Sequence, residues 1–124
     1  MPEPSPRLRT STHGDVIVAE PMDQKILDEA SISQLSQELF ALAAGQDKPA
    51  LVLDFVNVGH MSSSALGMLI TLHKRVREKN GRLWLCGIKP SIYEVFEITR
   101  LNEVFTIRDS RAAALEEAGA APTG

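Results

Sequence analysis

The chain is poor in the residues that build disulfides and metal sites. Its 124 residues contain one cysteine, Cys86. A lone cysteine excludes an internal disulfide and a multi-cysteine zinc site. Its setting in the apolar run Leu83-Trp84-Leu85-Cys86 makes it a small core residue rather than a reactive thiol. The histidines His13, His60 and His73 are far apart and lack metal-ligand spacing, so neither a metal nor a cofactor is expected. No apolar run reaches the roughly 18 to 20 residues that cross a bilayer, and Met1 to Arg9 lacks the apolar segment of a signal peptide. The expectation is a cytoplasmic protein away from the membrane. Neither sign of charge dominates: 13 Lys and Arg stand against 16 Asp and Glu, for a net charge of −3. With the two signs interspersed, nothing points to a nucleic-acid partner or an anionic membrane surface.

What is present is enough for one core. A chain of this length with 44% hydrophobic residues fits a single domain. Met1 to Pro6 carries three prolines among polar residues, so residues 1–7 are expected to be a flexible N-terminus, 8–118 the domain, and 119–124 a flexible Ala/Gly/Pro tail. Leu8 to Thr12 and the β-branched Val16 to Ala19 flank Gly14-Asp15 and predict a hairpin. From Ser31, apolar Ile32, Leu35, Leu39, Phe40 and Leu42 recur at helical steps and stop at Gly45. Ala50 to Phe55 is a nearly continuous apolar run, the mark of a central strand covered on both faces. After a loop from Val56 to Met61, a second helix is predicted from Ser63 to Lys79, with His73 on its inward or flanking face. Asn80-Gly81 ends it. A strand over Arg82 to Cys86, a helix over Ser91 to Thr99, a strand over Phe105 to Ile107 and a helix over Ser110 to Ala118 complete the chain. Alternation of this kind implies an α/β fold with a mixed, largely parallel sheet of about four or five strands and about four helices.

Four segments carry a resemblance: Leu51 to Val58 (LVLDFVNV), His60 to Gly67 (HMSSSALG), Gly81 to Ile88 (GRLWLCGI) and Val95 to Leu101 (VFEITRL). In order and spacing they resemble the STAS domain of bacterial anti-sigma-factor antagonists, from about Val16 to Leu115. That family centres on strand, loop, methionine, aspartate, serine, serine or threonine, glycine, leucine, glycine, then a helix. The resemblance implies a non-enzymatic module that binds an anti-sigma factor of the serine-kinase type and so frees a sigma factor. Phosphorylation of the serine after the aspartate ends the binding. Carried over by position, Ser62 takes the place of the aspartate, Ser63 that of the phosphoacceptor, Ser64 that of the second hydroxyl residue and Ala65 that of the glycine. Ser62 and Ala65 depart from the pattern, removing a charge and adding a methyl group. The resemblance also implies an aspartate before the first helix; Asp28 takes that position, with Asp23 as its competitor because the segment Glu20 to Gln24 is long. Asn57, His60 and Met61, on the loop that delivers the serines, complete the expected partner surface of a monomer or weak dimer.

The chemistry of the serine run has its own logic. A helix N-terminus exposes about four unpaired N–H groups and the positive end of the dipole, so it accepts either a capping hydroxyl or a phosphate. A phosphate adds roughly −1.5 to −2 charges and repels an acidic or apolar partner. The plainer reading has Ser62 as N-cap and Ser63 and Ser64 as unmodified first-turn residues. Two partner-binding readings therefore stand, a phosphorylation switch and an unphosphorylated STAS adaptor in a larger signalling complex. A weak nucleotide-binding module is the third, although the chain lacks a Gly-rich P-loop and its lysine. A hydrolase built on Ser63 or Ser64 with His60 as base lacks both a Gly-x-Ser-x-Gly elbow and a group to orient the histidine.

Overall fold

The computed structural model describes residues 8–119; the expected flexible residues 1–7 and all but Gly119 of the expected tail lie outside them. Strands β1 (Leu8–His13) and β2 (Val16–Pro21) form the hairpin. They pair antiparallel from Leu8↔Pro21 to His13↔Val16. Gly14, at the first central position of the two-residue turn, has φ 63°, the conformation a type II′ hairpin turn demands and glycine adopts without strain. A short strand β3 (Lys25–Ile26) precedes helix α1 (Glu29–Ala44). Then follow β4 (Ala50–Asp54), the short strand β5 (His60–Met61) and α2 (Ser63–Glu78). The chain closes with β6 (Arg82–Cys86), α3 (Pro90–Ile98), a 3-10 turn at Leu101–Glu103, β7 (Thr106–Arg108) and α4 (Arg111–Ala118).

The main sheet has the order β1-β2-β4-β6-β7. Apart from the β1–β2 hairpin, every pairing in it is parallel. The side-chain period of two divides the central strands between two cores. Leu51 and Leu53 of β4 and Leu83 and Leu85 of β6 point into the larger core beneath α1, α2 and α3, with Phe55, Leu69, Leu72 and Phe96. Ala50, Val52, Trp84 and Cys86 point the other way, against Ala114, Leu115 and Ala118 of α4. Cys86 is fully buried there, and burial first, then the neighbouring Asp54 charge, push its thiol up to about 12 despite Arg111. The thiolate is therefore suppressed. His73 lies on the flank of α2, half-buried and edge-on to Phe105 at 5.3 Å.

The structure adds to the sequence reading in three places. Helix α1 begins at Glu29 rather than Ser31, because Asp28 accepts the Ser31 N–H at 3.0 Å and caps it. The stretch from Val56 to Met61 is not all loop. His60↔Lys25 and Met61↔Ile26 pair as a parallel two-stranded ladder, separate from the main sheet. Strand β2 runs on through Glu20, a carboxylate that is 8% exposed.

Candidate functional site

All parallel strands of the main sheet end on the same side of the molecule, and the helices that follow them begin there. The small β3–β5 ladder sits at that end and brings two helix starts together. Ile26 is in register with Met61, and the Ile26 carbonyl accepts the Ser62 N–H at 3.0 Å. Two residues beyond Ile26 stands Asp28, the cap of α1, and immediately beyond Met61 stands Ser62, the cap of α2. Helices α1 and α2 pack side by side, so two positive helix ends open on one surface. Asp28, rather than Asp23, occupies the N-cap of α1; Asp23 lies in the segment between β2 and β3.

The three serines do different things. Ser62 Oγ accepts the Ala65 N–H at 3.3 Å, so its hydroxyl is engaged in capping. Ser63 and Ser64 follow as the first two residues of α2 and are exposed. Ala65 is fully buried, its methyl group packed in the core beneath the site rather than offered to a partner. One turn after Ser63 the exposed Gly67 stands on the same face; a Cβ added to it would meet nothing within 4 Å.

The delivering loop is held from several sides. Gln24 O accepts the N–H groups of Gly59 (2.8 Å) and His60 (3.1 Å). Lys89 Nζ donates to Val56 O (2.6 Å) and Val58 O (3.2 Å). Asn57 Nδ2 donates to Glu20 Oε2 (2.6 Å) and Pro21 O (3.3 Å), so this half-buried residue, predicted as a contact, also braces the loop. His60 remains exposed and Met61 half-buried. With Gly59, Leu66, Ile92 and Val95 they line a cleft of about 160 Å³ between the start of α2 and α3. Met22, Leu27, Val56 and Val95 add exposed apolar surface around this end, Leu27 and Val56 each about half exposed.

A residue set absent from the sequence reading underlies the loop. Glu20, Asp54 and Arg111 form a charged cluster in which both carboxylates are buried. Burial alone would raise the Glu20 carboxyl, but hydrogen bonds from Arg111 and Asn57 and the charges of Arg111 and Arg9 hold it below its usual value. The available sequence signal was an acidic residue closing each of two apolar runs, VIVAE and LVLD, where a buried carboxylate needs a cation.

Comparison with known proteins places this geometry. The STAS domain profile matches residues 10–114. The chain belongs to the STAS domain family. A Bordetella bronchiseptica protein named as an anti-sigma factor antagonist, BtrV, is 34% identical over 91 residues, covering 73% of this chain and 78% of that protein. The anti-sigma-B factor antagonist of Listeria monocytogenes is 25% identical over 105 residues, covering 82% and 83%. Among solved structures, a STAS domain protein from Planctomyces limnophilus superposes with a TM-score of 0.83 at 24% identity, over 91% of this chain and 98% of that one. The helices and the mixed, mostly parallel five-stranded sheet are thus the STAS fold, and the serine run stands at the start of its second helix. No helix among the described residues is long and apolar enough to cross a membrane, and no group of three or more His, Cys, Asp or Glu side chains among them is placed to hold a metal ion.

Proposed function

We propose that this STAS protein is a non-catalytic anti-sigma-factor antagonist that binds an anti-sigma factor of the serine-kinase type, frees a sigma factor, and is released when Ser63 is phosphorylated. The observation that carries the reading is the division of labour in the serine run. Ser62 holds the cap, while Ser63 stands exposed on the first turn of α2, two residues after Met61, which lines a cleft with His60, Leu66 and Val95. A kinase can reach that hydroxyl without undoing the helix. A phosphate there meets the positive helix end, yet places its charge where a partner would cover apolar surface. Asp28, His60, Met61 and Ser64 form the rest of the contact surface, with Asn57 and Ala65 supporting it from within.

The two departures from the family pattern are compatible with this role. Ser62 keeps the capping function an aspartate would also perform, losing only the charge. The Ala65 methyl is accommodated in the core, so no steric penalty attaches to it. The protein acts in the cytoplasm as a monomer or weak dimer. Affinity capture from native cells, followed by phosphopeptide mass spectrometry, tests the reading. The expected result is a kinase-type anti-sigma factor in the captured material and phosphate on Ser63. A kinase partner with no phosphate on Ser62, Ser63 or Ser64 would leave the adaptor role instead, and the absence of any such partner would remove both.

A further inference from the structure

The mechanism above does not use Arg111, yet this residue is connected to the loop that presents the serines. Arg111 is the first residue of α4, on the face of the sheet opposite α1, α2 and α3. Its Nη2 donates to Glu20 Oε1 at 2.5 Å and its Nε to Asp54 Oδ2 at 2.9 Å. Each carboxylate uses its other oxygen on the loop. Glu20 Oε2 accepts Asn57 Nδ2 at 2.6 Å, and Asp54 Oδ1 accepts the Val56 N–H at 3.1 Å. One guanidinium is thus joined, through two buried carboxylates, to two successive residues of the segment leading to His60 and Ser62. The planar fork of arginine serves both carboxylates at once, which a lysine ammonium cannot do in the same geometry. Gly87 leaves the space this needs, since a Cβ there would come within 2.5 Å of Asp54 Oδ1.

We infer that Arg111 is a positioning residue for the partner-binding surface: through Glu20 and Asp54 it sets the Val56–Asn57 segment, and so couples this ion-pair cluster to affinity for the anti-sigma factor. This rests on the proposed function for its binding half, whereas the clamp itself can be measured on the protein alone. With the full chain labelled with 15N, Arg111→Gln shifts the Val56 amide, the Asn57 side-chain amide and the amides from Ser62 to Ala65, and lowers affinity for the anti-sigma factor captured by the wild type about tenfold, as loss of a charge-assisted contact predicts. Arg111→Lys gives a smaller change in the same signals and decides the question if the glutamine variant does not fold. Leu115→Ala loosens α4 without touching the cluster, and so separates positioning from stability. It leaves the Val56 and Asn57 signals in place and affinity within about twofold.

Unmoved Val56 and Asn57 signals in both Arg111 variants, or equal affinity losses in Arg111→Gln and Leu115→Ala, would overturn the inference. Moved loop signals with unchanged affinity would overturn the coupling. If the wild type captures no anti-sigma factor, the proposed function fails and the coupling fails with it, while the amide signals still decide whether Arg111 holds the loop.

Discussion

Replacing Gly67 by alanine separates what the fold needs from what a partner needs. Gly67 lies in the interior of α2, exposed, and an added Cβ would touch nothing within 4 Å. Glycine at such a site costs about 1 kcal/mol relative to alanine, because the unfolded chain has more backbone freedom to lose and no left-handed conformation is required in return. Gly67→Ala should therefore stabilise the domain by about 0.5 to 1 kcal/mol, a rise of roughly 2 to 5 °C in Tm for a chain of this size. The same methyl projects from the face that carries Ser63. If an anti-sigma factor packs closely over the start of α2, overfilling that contact costs about 1 to 3 kcal/mol, or roughly five- to hundredfold in Kd. Urea unfolding measures the first effect and titration calorimetry with the anti-sigma factor the second. A variant less stable than wild type would refute the accounting of the free helix. A more stable variant that binds as tightly as wild type would refute close packing over this turn.

Other expectations follow from individual contacts. Ser62→Ala should cost about 1 kcal/mol in urea unfolding by removing the α2 cap, whereas Ser63→Ala should stay within about 0.5 kcal/mol; equal losses would contradict the assignment of roles. Ser63→Asp should weaken anti-sigma-factor binding at least about tenfold in calorimetry while Ser63→Ala retains it, and equal affinities would remove the switch. Gly81→Ala places a Cβ 2.3 Å from the Pro49 carbonyl oxygen, so a loss of about 3 kcal/mol or more is expected, and a Tm within about 2 °C of wild type would show that the contact is readily relieved. The His73 imidazole is held below its ordinary value of 6.5 by burial and by Arg77. The unfolded chain then takes up the proton first, so this stability contribution is complete above about pH 6.5 and declines as pH falls below it. His73→Phe should flatten the stability profile between about pH 7 and pH 5; an unchanged slope would assign that titration elsewhere. Glu20 is depressed rather than raised, so its contribution is present above its ordinary carboxylate range and lost on acidification through its folded value. Glu20→Gln should be less stable at pH 7 and show a shallower acid limb in urea titrations.

Much of the architecture was legible because it rests on periodicity. The burial of β4 and β6 on both faces follows from nearly continuous apolar runs such as ALVLD and RLWLC, and the two long helices from apolar residues at three- and four-residue steps. The β3–β5 ladder was not legible, since two-residue strands carry no period, and what defines them is the pairing of Lys25 and Ile26 with His60 and Met61 across the fold. The serine run could be picked out as a group. Its members could also be given separate positions, with Ser62 as N-cap; that Ser62 Oγ accepts the Ala65 N–H and that Ala65 faces the core are features of the packed structure.

The sequence by itself determined the α/β alternation and the placement of a hydroxyl cluster at a helix start, because these depend on local spacing and on the chemistry of neighbouring residues. Tertiary structure decided which side chains meet. Arg111 stands 57 positions from Asp54 and 91 from Glu20 along the chain, and no local pattern reports that the closing helix returns across the sheet to hold the loop before Ser62. Charge pairing at that range is fixed by the strand order and by which face each helix covers, and those are properties of the packed molecule.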